Sequence, residues 1–183
     1  MQTTGIFQAH QYDVTDATMG EPSWLMPFGD IHYGCPAHSD RSFSKYIECA
    51  KEKEHAVFLG MGDYFDIAST SERGILSSGI LHDSTLDTMD TYYKELADEF
   101  INKICFMKGR IAGLIEGNHY AVLRSGITTT QYMAEVLGCK YLGVAGFVRL
   151  KFTLQETSRT SIDIFAHHGK GASRLIGGSL NRV

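Results

Sequence analysis

Proline is scarce in this chain, with three residues in 183, which excludes a collagenous or proline-rich extended protein. Cysteine is held to four residues, Cys35, Cys49, Cys105 and Cys139, which stand far apart and form no C-x-x-C pair. That spacing excludes a zinc ribbon and a dense disulfide framework, and leaves reduced thiols in or near a core. No apolar run is long enough to cross a bilayer, and residues 1–5 lack a basic segment leading into an apolar one. No membrane partner is therefore expected, and a cytoplasmic location follows by default. An excess of basic charge is missing too. The formal net charge of −4 and pI near 6.0 give no global attraction to nucleic acid, although a local basic surface on an acidic protein can still bind it.

What is present is the composition of a globular protein, with 43% hydrophobic and 21% charged residues. The length allows one domain over residues 1–183 with a sizeable core, and leaves little room for a second. Short apolar runs alternate with amphipathic stretches, the order of an α/β fold in which strands are joined by helices or long crossovers. Residues 24–29 and 56–59 read as strands that end on Asp30 and His32 and on Gly60-Met61-Gly62-Asp63. Residues 42–53 read as a helix. Over 85–107, Leu86, Met89, Tyr93, Leu96, Phe100, Ile104 and Met107 recur every three or four residues, the strongest helical signal. Met89, Tyr93 and Phe100 belong to core packing on this reading. A third strand over 111–115 runs into Glu116-Gly117-Asn118-His119, and a helix over 128–137 stops at Gly138. Residues 146–154 and 161–166, around a polar 155–159 turn, read as a hairpin that ends on His167-His168-Gly169. Residues 67–84, rich in Ser, Gly and Thr, read as an exposed loop or insertion.

Four ligand-capable segments thus close expected strands: Asp30-Ile31-His32, Gly62-Asp63-Tyr64-Phe65-Asp66, Gly117-Asn118-His119 and His167-His168-Gly169. In open α/β sheets ligands sit beyond the carboxyl ends of the strands, so distant segments can meet in one crevice. The donors are carboxylate, imidazole and amide without thiolate, a set suited to manganese, with iron or zinc as alternatives, and less to magnesium. Extended backbone through Asp30-Ile31-His32 would put both side chains on one face, and the two oxygens of Asp63 can bridge a pair of ions. Such a pair, roughly 3.5–4 Å apart, suits in-line displacement at phosphorus.

In this order the segments resemble the signature of calcineurin-like metallophosphoesterases, D-x-H, G-D-x-x-D, G-N-H, a later histidine and G-H-x-H. Each short motif alone is weak, but four in order form a strong joint signal over residues 24–169. The resemblance implies a two-sheet sandwich flanked by helices, and dimetal hydrolysis of a phosphomonoester, phosphodiester or pyrophosphate. The substrate would be a phosphorylated small molecule or nucleic acid. A nuclease acting on DNA ends is the sharper guess within the family, and the acidic composition does not support it. Carried onto this chain, Asp30 and His32 hold the first metal, Asp63 bridges, and Asn118 with His168 or His167 holds the second. Strand alternation turns only one of the two histidines inward; the family's habit of placing its ligand before a glycine favours His168. His119 would serve the leaving-group oxygen as a proton donor, and Asp66 would orient that imidazole and favour its protonated form.

The chain departs from the pattern in one respect: no G-H-x-H occurs anywhere in it. Three explanations stay open. The domain is a C-terminally truncated piece of a longer protein, which ranks first, or another chain completes the site, or full activity has been lost. The glycine-rich, basic tail offers Lys170 and Arg174 as a substrate-phosphate cradle, with a solvated loop an equal alternative. His10, His38, His55 and His82 have no place in the motif order and read as surface or packing residues, and Glu116 stands where it can pin the Gly117 loop. Two rival readings remain: a binding or scaffold module that kept the fold and lost catalysis, and a mononuclear metal protein of unrelated fold in which Asn118 is dispensable.

Overall fold

A computed structural model describes residues 8–15, 17–18, 20–68, 70–76, 78–154 and 158–169. The described elements run β1 (Gln8–Val14), β2 (Trp24–Phe28), α1 (Asp40–Glu52), β3 (Ala56–Gly60), α2 (Thr70–Leu76), α3 (Asp83–Ile104), a 3₁₀ turn over Cys105–Met107, β4 (Ile111–Leu114), α4 (Thr129–Leu137), β5 (Ala145–Leu154) and β6 (Ser158–His167). The fold is mixed α/β. One sheet has the order β2-β3-β4, all parallel; the other has the order β1-β5-β6, with β1 parallel and β6 antiparallel to β5.

Strand β3 is buried along its whole length because both of its faces are covered, which is why it reads as an unbroken apolar run. Its alternate residues serve two cores. Val57 and Leu59 join Ala112, Ile115, Leu142, Val148, Leu150 and Ala166 in a layer between the two sheets. Ala56 and Phe58 face the other way, with Leu114 and Ile111, into a larger cluster that takes in Phe43 of α1, Phe100 and Ile104 of α3, and Met133 and Leu137 of α4. The outer face of the β1-β5-β6 sheet is open, and the paired Phe147 and Phe165 are about half exposed there. Helices therefore cover one sheet among the described residues, where helices flanking both were expected.

The helices form where local chemistry permits. The Ser39 hydroxyl caps α1 by accepting from the amide of Ser42, and α4 opens with a reciprocal box between Thr128 and Gln131. Gly138 ends α4 in the left-handed region at φ 68°, where it costs little because it has no Cβ. Two elements differ from the sequence reading. Strand β1 was not expected, since only Tyr12 and Val14 of its residues are large and apolar, and it is held as a sheet-edge strand by pairing with β5. Residues 67–84 are not loop throughout: α2 forms within them, too short for helical periodicity to reveal it.

Phe100 is fully buried and its ring contacts those of Tyr33, Phe43, Tyr64 and Phe65 at centroid distances of 5.3 to 6.3 Å. Phe100→Ala is expected to lower unfolding free energy by about 3–5 kcal/mol, read as a shift in the urea midpoint at unchanged slope.

Candidate metal centre

Strands β2, β3 and β4 run parallel, so their carboxyl ends lie along one edge, and the loops leaving β2 and β3 remain hydrogen-bonded to each other beyond the sheet. The amides of Asp30, Ile31, His32 and Tyr33 donate to the carbonyls of Gly62, Asp63, Asp63 and Tyr64 at 2.9–3.0 Å. This zipper holds an unusual backbone. Asp30, His32 and Asp63 lie at φ 50°, 49° and 49°, the non-glycine residues of positive φ among those described. Each left-handed residue costs about 1–3 kcal/mol unless its surroundings fix it, and such residues concentrate at functional sites. The extended alternation expected through Asp30-Ile31-His32 does not occur. The left-handed turns bring the side chains together instead, with His32 Nε2 at 4.0 Å from Asp30 Oδ1.

Asp63 is the hub. It is buried, with 4% of its surface exposed, and its two oxygens do different things. Oδ1 accepts from the backbone amides of Asn118 (2.6 Å) and His119 (2.8 Å), which pins the G-N-H loop against the G-D loop. Oδ2 turns to the imidazoles, 3.0 Å from His168 Nε2 and 3.8 Å from His32 Nε2. The glycines of both motifs exist for this approach. A Cβ on Gly117 would lie 2.0 Å from Asp63 Oδ1, and one on Gly62, at φ 90°, would lie 2.7 Å from the Gly117 Cα and 2.9 Å from His168 Nδ1.

His168 Nδ1 stands 2.7 Å from the Met61 carbonyl, an oxygen that can only accept, so Nδ1 carries a proton. Nε2 then faces Asp63 Oδ2 and Asn118 Oδ1, each at 3.0 Å. Nε2, Asp63 Oδ2 and Asn118 Oδ1 thus converge with lone pairs that one cation could take up. Two donor groups share Asp63: Asp30, Asp63 and His168, and His32, Asp63 and His119, each with ligand atoms within 4.8 Å of one another. The donor set and its crowding fit a cation centre. No family model, curated protein or solved structure matches the chain.

The remaining site residues fall into place around this hub. His119 Nδ1 lies 2.6 Å from Asp66 Oδ1, which must accept, leaving Nε2 as the nitrogen turned away from that carboxylate. Burial tends to raise the Asp66 pKa, but hydrogen bonds from Cys35 and His119 and the nearby His119 and His32 hold it below the usual carboxylate range. The His32 and His119 rings meet edge to face at 4.8 Å. His167 ends β6 on the other side, exposed, stacked with Phe165 and accepting from the Gly169 amide, so it does not join the cluster. Lys170 and Arg174 lie outside the described residues. His38 packs between Tyr33 and Phe43 and its Nδ1 holds the Ile31 carbonyl at 2.7 Å.

Two residues carry more than the sequence reading gave them. Glu116 is buried; its Oε2 accepts from the hydroxyls of Thr128 and Tyr141, and its amide donates to Gly143, tying the end of β4 to the start of α4 and to the 140s loop. Burial pushes its carboxyl up, against hydrogen bonds from Thr130, Tyr141 and Thr128 and the charge of Arg73. Arg73 of α2 was not singled out at all. Its Nη1 reaches the carbonyls of Ala68 (2.6 Å), Asn118 (2.8 Å) and Tyr120 (3.1 Å). A lone arginine in a Ser- and Gly-rich stretch was the available signal.

Gly117→Ala places a methyl against an oxygen and a backbone nitrogen that cannot retreat without breaking the loop pair. A loss of about 3 kcal/mol or more in unfolding free energy is expected by chemical denaturation; a change within 0.5 kcal/mol of zero, the spread of neutral surface substitutions, would show that the loops are not so closely coupled.

Proposed function

We propose that this chain is a phosphoester hydrolase of the calcineurin-like metallophosphoesterase type, acting with two divalent cations. The observation that carries the reading is the division of labour in Asp63: one oxygen locks two loops together while the other faces both His32 and His168, the imidazoles assigned to the two ions. Asp30, His32 and Asp63 would hold one ion, and Asp63, Asn118 and His168 the other. Manganese suits this oxygen-and-imidazole set best, with iron or zinc as alternatives. When bound, a cation pair supplies Lewis-acid binding of the phosphoryl oxygens and lowers the pKa of water.

The chain's own residues supply the rest. His119 sits at the rim of the donor cluster with its Nδ1 proton committed to Asp66, so Nε2 is the position from which a proton passes to the departing alkoxide. Asp66, held in its ionised form, fixes the imidazole tautomer and orientation. Asn118 and His119 cannot drift from Asp63, because their consecutive amides are both bound by its Oδ1. The reaction balances as water plus phosphomonoester giving alcohol plus phosphate, water plus phosphodiester giving alcohol plus phosphomonoester, and water plus pyrophosphate giving two phosphates. Free thiols at all four cysteines fit a reducing, cytoplasmic setting. Among the described residues no helix is long and apolar enough to cross a membrane.

The test is hydrolysis of p-nitrophenyl phosphate and bis-p-nitrophenyl phosphate with added manganese, beside metal analysis. Asp63→Asn is expected to abolish turnover and manganese uptake. His119→Asn is expected to lower kcat by about 10²- to 10⁴-fold with metal content intact, and Asp66→Asn by a smaller factor in the same direction. Loss of both metals in either of the latter variants refutes the assigned roles. Tight partner binding by a protein that takes up no metal favours a scaffold module instead.

A further inference from the structure

Beside the donor cluster, between α2, the amino-terminal half of α3 and the 120s loop, lies a cavity of about 460 Å³, within the range of small-molecule sites. Its walls are largely apolar: Leu76 of α2, Leu86, Met89 and Tyr93 of α3, and Tyr120 and Leu123 of the loop. Tyr93 and Leu123 are buried and form, with Ala121, a small core of their own that fixes the floor. The cavity adjoins the site through the chain itself, because Tyr120 directly follows His119. Arg73 marks the boundary: its guanidinium lies 3.9 Å from the Tyr120 ring centre, while Nη1 reaches the Asn118 and Tyr120 carbonyls. The backbone that carries Asn118 and His119 is thus tied directly to the wall of the cavity.

Two of the charged residues on its walls, Asp90 and Arg124, are paired with opposite charges within the protein. Asp90 accepts from Lys94 Nζ and the Arg124 amide, both at 2.7 Å, and Arg124 pairs with Asp83 and Asp87. Arg73 is committed to three carbonyls. A ring entering here would find two tyrosines and an apolar floor. We infer that this cavity is the leaving-group pocket of the site and selects phosphoesters of aromatic alcohols over those of alkyl alcohols. The inference rests on the hydrolase reading above.

The decisive measurement compares inert analogues by calorimetry on the manganese-loaded protein: 1-naphthylmethylphosphonate, octylphosphonate and methylphosphonate. The naphthyl compound is expected to bind at least about tenfold more tightly than the methyl compound and more tightly than the octyl one. Leu86→Trp and Leu76→Trp, which narrow the cavity from opposite walls, are expected to reduce that advantage to about twofold or less while methylphosphonate affinity holds. Leu86 is only half-buried, so Leu86→Ala serves as a further variant if a tryptophan disturbs folding by circular dichroism; it is expected to weaken naphthyl binding selectively. Equal naphthyl and methyl affinity in a protein that hydrolyses p-nitrophenyl phosphate overturns the pocket and leaves the hydrolase reading standing. Octyl binding as tight as naphthyl overturns the aromatic preference. A naphthyl preference in a protein that hydrolyses no phosphoester supports the cavity as an aryl site and overturns the hydrolase reading instead.

Discussion

The buried carboxylate of Asp63 is the constraint on which the site depends. A carboxylate removed from water must recover its solvation from fixed donors, and Oδ1 recovers it from two consecutive amides at 2.6 and 2.8 Å. Those bonds fix the G-N-H loop relative to the G-D loop to within the tolerance of a hydrogen bond. They also leave Oδ2 to face the imidazole nitrogens of His168 and His32. The absence of side chains at Gly62 and Gly117 is what lets the loops approach so closely, so the glycines and the carboxylate act as one device.

Strain is distributed to the same place. The left-handed residues Asp30, His32 and Asp63 all lie at strand ends, and the ladder of amides from 30 to 33 onto carbonyls from 62 to 64 holds them there. A backbone in extended form would carry the chain away from the sheet edge; the left-handed turns fold it back so that side chains separated by one residue meet. The surrounding core makes this affordable. Two apolar layers grip β3 from both faces, and the loops leave a strand that cannot shift.

The arrangement around the centre is asymmetric. On one side Cys35, Asp66 and His119 form a hydrogen-bonded chain, and beyond His119 the loop continues to Tyr120, Arg73 and an apolar cavity. On the other, His168 is anchored through Met61 and His167 turns out to solvent. The hydrogen-bonded chain and the cavity thus lie on one flank, and the β6 end closes the other. Helix α2 matters more than its length suggests, because Arg73 links three loop carbonyls that no strand reaches.

Much of this was legible in the chain. The apolar runs of β3 and β4 declared themselves because burial on both faces demands continuous hydrophobicity, the long period of α3 because one face packs, and the ends of α4 because a capping box and a glycine mark them. The order of Asp30, His32, Asp63, Asn118, His119 and the histidine pair pointed to converging donors. What remained hidden was whatever neighbours far along the chain impose. Strand β1 is a strand because β5 pairs with it, α2 is a helix too short for a period, and His168 rather than His167 faces Asp63 across 105 residues because of the phase in which β6 joins β5. Sequence determined which donors exist and in what order they come. Only the packed structure decided which of them meet, since distances between remote residues are set by sheet register and left-handed loop turns, and neither leaves a local pattern to read.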